Sequence, residues 1–141
     1  MIPRDSYIST LIKLVDKPFI KVLTGIRRSG KSVILKQLQH YLQQLAFNES
    51  NIIYYNFESL DNADIINGTI LNSVVKARML NEHKYYLIFD EIQEVDDWEK
   101  AINSLLADGN TDIYITGSNS KLLSSELATY IAGRYVEIPV S

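Results

Sequence analysis

The chain contains no cysteine, which excludes disulfides and thiolate metal sites. Histidine is scarce: His40 and His83 lie far apart without ligand-like neighbours, so both read as solvated or packing residues. Basic residues are not in excess, since 14 Lys and Arg against 17 Asp and Glu leave a net charge of -3. That balance argues against direct nucleic-acid binding by this segment through a broad basic surface. No stretch approaches the ~20 apolar residues a membrane span needs, and Met1-Ile2-Pro3-Arg4-Asp5-Ser6 lacks a signal peptide's apolar core. A cytoplasmic protein with no membrane span is expected. There is no internal repeat or low-complexity tract.

What is present suits one globular domain over 1–141, 46% hydrophobic and 22% charged. Residues 5–15 place Tyr7, Ile8, Leu11, Ile12, Leu14 and Val15 at near-helical spacing. Strands are expected at 19–24, 51–57, 85–89, 112–116 and 135–140. Helices are expected at 31–45, at 98–107 and at 121–132 with Gly133 as C-cap; 61–82 reads as mostly helical, interrupted near Asn67-Gly68. Near-continuous apolar strands alternating with helices predict an α/β fold, a three-layer αβα sandwich around a parallel five-stranded sheet. Right-handed crossovers then bring every strand's C-terminal end to one edge, where such sheets bind ligands. Trp98 and the nine tyrosines fall on strands and apolar helix faces, as packing residues do.

The first strand runs into Gly25-Ile26-Arg27-Arg28-Ser29-Gly30-Lys31-Ser32, a full match to G-x-x-x-x-G-K-[ST], the P-loop or Walker A pattern. Gly25 and Gly30 permit backbone conformations closed to other residues, so successive N–H groups can form a concave anion nest. The following helix adds unpaired N–H groups, through Val33, and its positive dipole end. Lys31 can reach the β- and γ-phosphates, and the Ser32 hydroxyl can ligate Mg²⁺. Arg27 and Arg28 either add positive potential or pair with acids such as Glu58.

The third strand ends in Asp90-Glu91, a Walker B pattern: Asp90 would hold Mg²⁺ with Ser32, and Glu91 would orient and deprotonate a water for in-line attack on the γ-phosphate. The fourth strand ends in a polar tip at which Thr116, Ser118 and Asn119 are γ-phosphate candidates, Ser118 and Asn119 being favoured. Ser118 or Asn119 as a simple helix cap is the competing reading. Asn56, ending the second strand, is a candidate to hold Glu91 away from the water. Arg134 either pairs with orphan carbonyls of the last helix or reaches a neighbouring subunit as an arginine finger.

Together "LTGIRRSGKS", "YYLIFDEIQEVDDWEKAINSLL", "IYITGSNSKLLSSELATYIAGR" and "YVEIPVS" resemble the prokaryotic AAA family ATPases that pair an N-terminal AAA+ domain with a C-terminal domain of unknown function. The likeness runs from about Arg4 to Ser141 and rests on the order and spacing of the motifs. It implies a P-loop NTPase sheet of AAA+ (ASCE) order 5-1-4-3-2, ATP as the nucleotide, Ser118 or Asn119 at the sensor-1 position, and Arg134 as arginine finger in a homo-oligomer. It also implies a helical lid and a further domain beyond strand five, so the 141 residues are expected to be the N-terminal piece of a longer protein.

The expected function is Mg²⁺-dependent ATP hydrolysis driving conformational change. An alternative is a nucleotide-dependent switch or interaction module with negligible turnover, working on an unidentified protein partner. A P-loop small-molecule kinase is the weaker alternative, because 61–82 offers no acceptor pocket or arginine-bearing lid. A GTPase is disfavoured, since no Asn-Lys-x-Asp motif occurs.

Overall fold

The computed structural model describes residues 4–25, 30–118, 122 and 133–141. In chain order the elements are α1 (Arg4–Leu14), β1 (Ile20–Thr24), α2 (Lys31–Leu42), β2 (Ile52–Asn56), α3 (Gly68–Arg78), β3 (Tyr85–Asp90), α4 (Trp98–Ala107), β4 (Thr111–Gly117) and β5 (Tyr135–Pro139). The strands form one sheet of order β2-β3-β4-β1-β5, every neighbouring pair parallel. This is the expected order 5-1-4-3-2, read from the other edge.

Because successive strand residues point to opposite faces, each apolar run feeds two cores. Val22, Leu87, Phe89 and Ile115 face α3 and α4, where Leu71, Val75, Trp98, Ile102 and Leu105 are buried. Leu23, Ile88 and Tyr114 face α1 and α2, where Leu11, Ile34, Leu35, Leu38 and Leu42 are buried. Each fully buried leucine or isoleucine contributes about 1.5–3 kcal/mol of transfer free energy, so the two cores hold the sheet between its helical layers. Among the described residues no helix is long and apolar enough to cross a membrane.

Two helices are shorter than the sequence predicts. Helix α2 ends at Leu42, followed by turns rather than continuing to residue 45. In 61–82 only Gly68–Arg78 is α-helical, preceded by a 3₁₀ turn at Leu60–Asn62. The chain before α3 is drawn out to pair with the approach to α4: Gly68 N–H donates to Asp96 O at 2.7 Å, Asp96 N–H to Ile66 O at 3.1 Å, and Asn67 Oδ1 caps Ile70 N–H at 2.9 Å. A Cβ at Gly68 would lie 2.3 Å from the Asp97 carbonyl oxygen, so this stitch requires glycine. Beyond α3, Asn51 and Asn81 exchange reciprocal amide hydrogen bonds of 2.9 and 3.1 Å, which fasten the loop into β3. The helix expected at 121–132 lies outside the described residues except for Leu122, which is buried; Gly133 has the left-handed φ of 76° that a C-cap needs.

Candidate functional site

The register Thr24↔Gly117 and Asn56↔Asp90 aligns the C-terminal ends of β1, β4, β2 and β3 along one edge. At that edge Gly30 takes a left-handed conformation, φ 95° and ψ 5°, open to glycine at little cost, and α2 begins at the next residue without a side-chain cap. The first N–H groups of α2 have no carbonyl partner within the helix. Lys31 is 6% exposed, and its three ammonium hydrogens have three acceptors: Gly25 O at 3.1 Å, Gly117 O at 3.2 Å and Glu91 Oε1 at 3.2 Å. Ser32 and Val33 are exposed on the first turn.

Opposite, β3 delivers the two acids into different surroundings. Asp90 is buried, and both its oxygens accept: Thr116 Oγ1 donates to Oδ1 at 2.6 Å and Tyr54 OH to Oδ2 at 2.9 Å. Burial, with the Asp90 charge beside it, pushes the Tyr54 phenol well above its ordinary value, keeping it a donor. Glu91 has a left-handed backbone, φ 55°, uncommon outside glycine. Its N–H donates to Thr116 Oγ1 at 3.0 Å, and its carboxylate is held by Lys31 on Oε1 and by Gln93 Nε2 on Oε2 at 2.7 Å. Gly25, Lys31, Glu58, Glu91, Gln93 and Ser118 line a cleft of about 240 Å³ there. Two atoms in this group are buried without a hydrogen-bond partner, Gln93 Oε1 and Ser118 Oγ.

The structure therefore brings together Gly25, Gly30, Lys31, Glu91 and Ser118 at the edge where Asp90 lies. Ile26, Arg27, Arg28, Ser29 and Asn119 lie outside the described residues. Thr116 drops out as a ligand contact, because its hydroxyl is fully buried between Asp90 and the Glu91 N–H. Asn56 does not hold Glu91: its Oδ1 accepts from Glu58 N–H at 3.0 Å, closing a local turn, and Gln93 takes the place proposed for it. Arg134 precedes β5, at the sheet edge opposite Lys31, and its Nη2 donates to Asn103 Oδ1 at 3.1 Å. Sequence reasoning missed Tyr54 and Gln93. The only signal for Gln93 was its position two residues after the acidic pair.

A family model described as an AAA domain matches residues 17–141. The chain belongs to this AAA domain family. An uncharacterized protein of Haemophilus influenzae is 47% identical over 141 residues, covering 99% of this chain and 35% of the relative. An uncharacterized protein of Methanocaldococcus jannaschii is 38% identical over 133 residues, covering 92% and 27%. The AAA domain thus spans about a third of the length of these relatives. Its fold is shared with a DNA polymerase III gamma-subunit-related protein of Thermotoga maritima (TM-score 0.67, 14% identity, 95% of this chain and 45% of the other) and with C. elegans PCH-2 (0.62, 16%, 98% and 42%). Family and fold together make this a nucleotide-binding, ATPase-like domain of the AAA class.

Proposed function

We propose that the domain binds ATP with Mg²⁺ in this cleft and hydrolyses it, using the nucleotide cycle to change conformation. The observation that carries the reading is Lys31: a buried ammonium at an uncapped helix N-terminus, held across the cleft by Glu91, the acid that follows β3. A triphosphate offers Lys31 a stronger anion and gives the first N–H groups of α2 acceptors. The donor set fits Mg²⁺, since Asp90 and Ser32 supply hard oxygens, one carboxylate and one hydroxyl, and this ion commonly takes its remaining ligands from phosphates and water. Bound there, Mg²⁺ would neutralise phosphate charge. Thr116 and Tyr54 keep Asp90 oriented for that role.

Once freed from Lys31, Glu91 takes a proton from water while the water oxygen bonds to the γ-phosphorus and the bond to the departing ADP oxygen breaks. Of the two favoured candidates at the end of β4, Ser118 is the one among the described residues, and its Oγ, buried and unpartnered, is available to contact the γ-phosphate. Arg134 enters this reading only as an arginine finger for a neighbouring copy, since in its own chain it lies at the opposite edge. We assign the protein to the cytoplasm, where ATP is abundant. A switch module with negligible turnover is the second reading, favoured by the engagement of Glu91 with Lys31 and Gln93.

Calorimetry with Mg-ATP tests the binding. Lys31→Ala is expected to weaken it by about 100-fold or more, the loss of a charge-assisted contact of roughly 3 kcal/mol. Glu91→Gln is expected to keep binding while turnover drops by roughly 10²–10⁴-fold. Equal binding by wild type and Lys31→Ala sinks the site; binding without turnover in the wild type leaves the switch reading.

A further inference from the structure

The proposed site already contains an anion. Lys31 has three donors, two of them engaged by the backbone carbonyls of Gly25 and Gly117, and the third is taken by the Glu91 carboxylate. An incoming phosphate chain must therefore displace Glu91 or one of two main-chain carbonyls, Gly25 just after β1 and Gly117 at the end of β4, and the side chain is the one freer to move. Glu91 is not held by Lys31 alone. Gln93 Nε2 donates to its other oxygen at 2.7 Å, a shorter contact than the one to Lys31.

Gln93 reaches that oxygen through two local features. The left-handed backbone at Glu91 turns the chain into the 3₁₀ turn Ile92–Glu94, which swings Gln93 back over the end of β4. There Gly117 has no Cβ, and the Gln93 amide fills the space: a Cβ at Gly117 would stand 2.1 Å from Gln93 Oε1. In this position Oε1 is buried with no partner, which is costly for an amide oxygen. The side chain thus gives up one hydrogen bond to make the one to Glu91.

We propose that in the ligand-free domain Glu91 acts as an internal stand-in for the phosphate on Lys31, and that Gln93 is the positioning residue that holds it there. The inference rests on the nucleotide reading of the cleft. Its consequence is that binding and catalysis pull against each other at Gln93: the amide opposes entry of the triphosphate, and once Lys31 has changed partners it still orients the carboxylate that takes the proton.

The test compares Mg-ATP and Mg-ADP binding by calorimetry, and ATP turnover, in wild type, Gln93→Ala, Glu91→Gln and the double variant. Gln93→Ala is expected to bind ATP about 3–10-fold more tightly, with a smaller gain for ADP, and to lower KM and kcat together, the pattern of a removed ground-state restraint. A side chain with a merely structural role would not tighten binding. In the double variant the tightening should not exceed that of Glu91→Gln alone. Thermal unfolding of each variant separates a folding defect from these effects. A second readout needs no ligand: the Gln93 side-chain amide resonance, identified by its loss in Gln93→Ala, should move on Glu91→Ala. Wild type that binds ATP while Gln93→Ala binds it no better overturns the inference and leaves the proposed function standing. An amide resonance indifferent to Glu91→Ala overturns it as well. If wild type binds ATP no better than Lys31→Ala does, the function itself has failed, and the inference with it.

Discussion

Two lysine–carboxylate pairs sit at opposite ends of the central strands, and their surroundings differ in kind. At the N-terminal end Lys21 of β1 meets Asp112 of β4 at 2.5 Å, side chains 0% and 1% exposed. Lys21 also donates to Lys17 O at 2.7 Å and lies over the Tyr114 ring at 5.3 Å. Asp112 Oδ2 accepts from Asp16 N–H at 2.9 Å and Tyr114 OH at 2.6 Å, and Tyr86 OH donates to Asp16 Oδ1 at 2.9 Å. At the C-terminal end Lys31 meets Glu91 at 3.2 Å, 6% and 12% exposed, beside a cleft and two unpartnered buried atoms. A closed, satisfied network fixes register and gains nothing from a ligand. The open one has donors and acceptors to give.

The comparison breaks hardest at Asp112. Asp112→Ala leaves the Lys21 charge without its counter-ion in the interior, and removing one partner of such a pair costs about 3–5 kcal/mol. Urea denaturation should show that loss as a lower midpoint. Burial lowers the proton affinity of Lys21, with Asp112 opposing the shift, so the lysine depends on that carboxylate to stay charged.

Tyr114→Phe comes next, at about 1–3 kcal/mol near neutral pH, because Asp112 loses a buried donor. Its pH dependence has a definite sign. Burial first, then the Asp112 charge, raises the Tyr114 phenol far above its ordinary value of 10.0. A raised folded-state value stabilises fully below the unfolded value and is lost as pH rises past it. The stability gap between wild type and Tyr114→Phe should therefore hold up to about pH 9.5 and narrow above 10. A gap that widens with alkali would contradict the network.

The two ends were unequally legible in the sequence. The phosphate loop and Asp90-Glu91 were readable because their chemistry lies in fixed spacings within one strand–loop–helix unit or at one strand end. The five apolar runs gave the parallel sheet, since strands buried on both faces cannot alternate with polar residues. Lys21 and Asp112 were invisible as a pair: each is a single charge within an apolar strand, and only the β1–β4 pairing joins residues 91 positions apart. Asn56 misled for a local reason, because its side chain satisfies the backbone of its own turn before it can reach a neighbouring strand. Gln93 was missed because its reach depends on the left-handed residue before its turn and on the missing Cβ of Gly117, neither of which any local pattern announces. The overextended helix in 61–82 failed for the same kind of reason, the bridge between Asn67 and Asp96 being tertiary.

Glu91→Ala should cost only about 1 kcal/mol, although it too strands a lysine. Lys31 keeps its two carbonyl acceptors and borders an open cleft, so water can replace the lost carboxylate. A loss as large as that of Asp112→Ala would mean that the upper pair is structural, and would remove the ground for treating Glu91 as displaceable. Lys76 and Asp108 complete the gradient as an exposed pair, 3.3 Å apart with side chains 41% and 30% exposed. Lys76→Ala should change stability by less than about 0.5 kcal/mol, less still at high salt, because solvent already screens the two charges. If denaturation ranks the three pairs in this order, energetic worth follows enclosure rather than the mere presence of opposite charges. The intermediate pair is then the one loose enough to exchange a carboxylate for a phosphate.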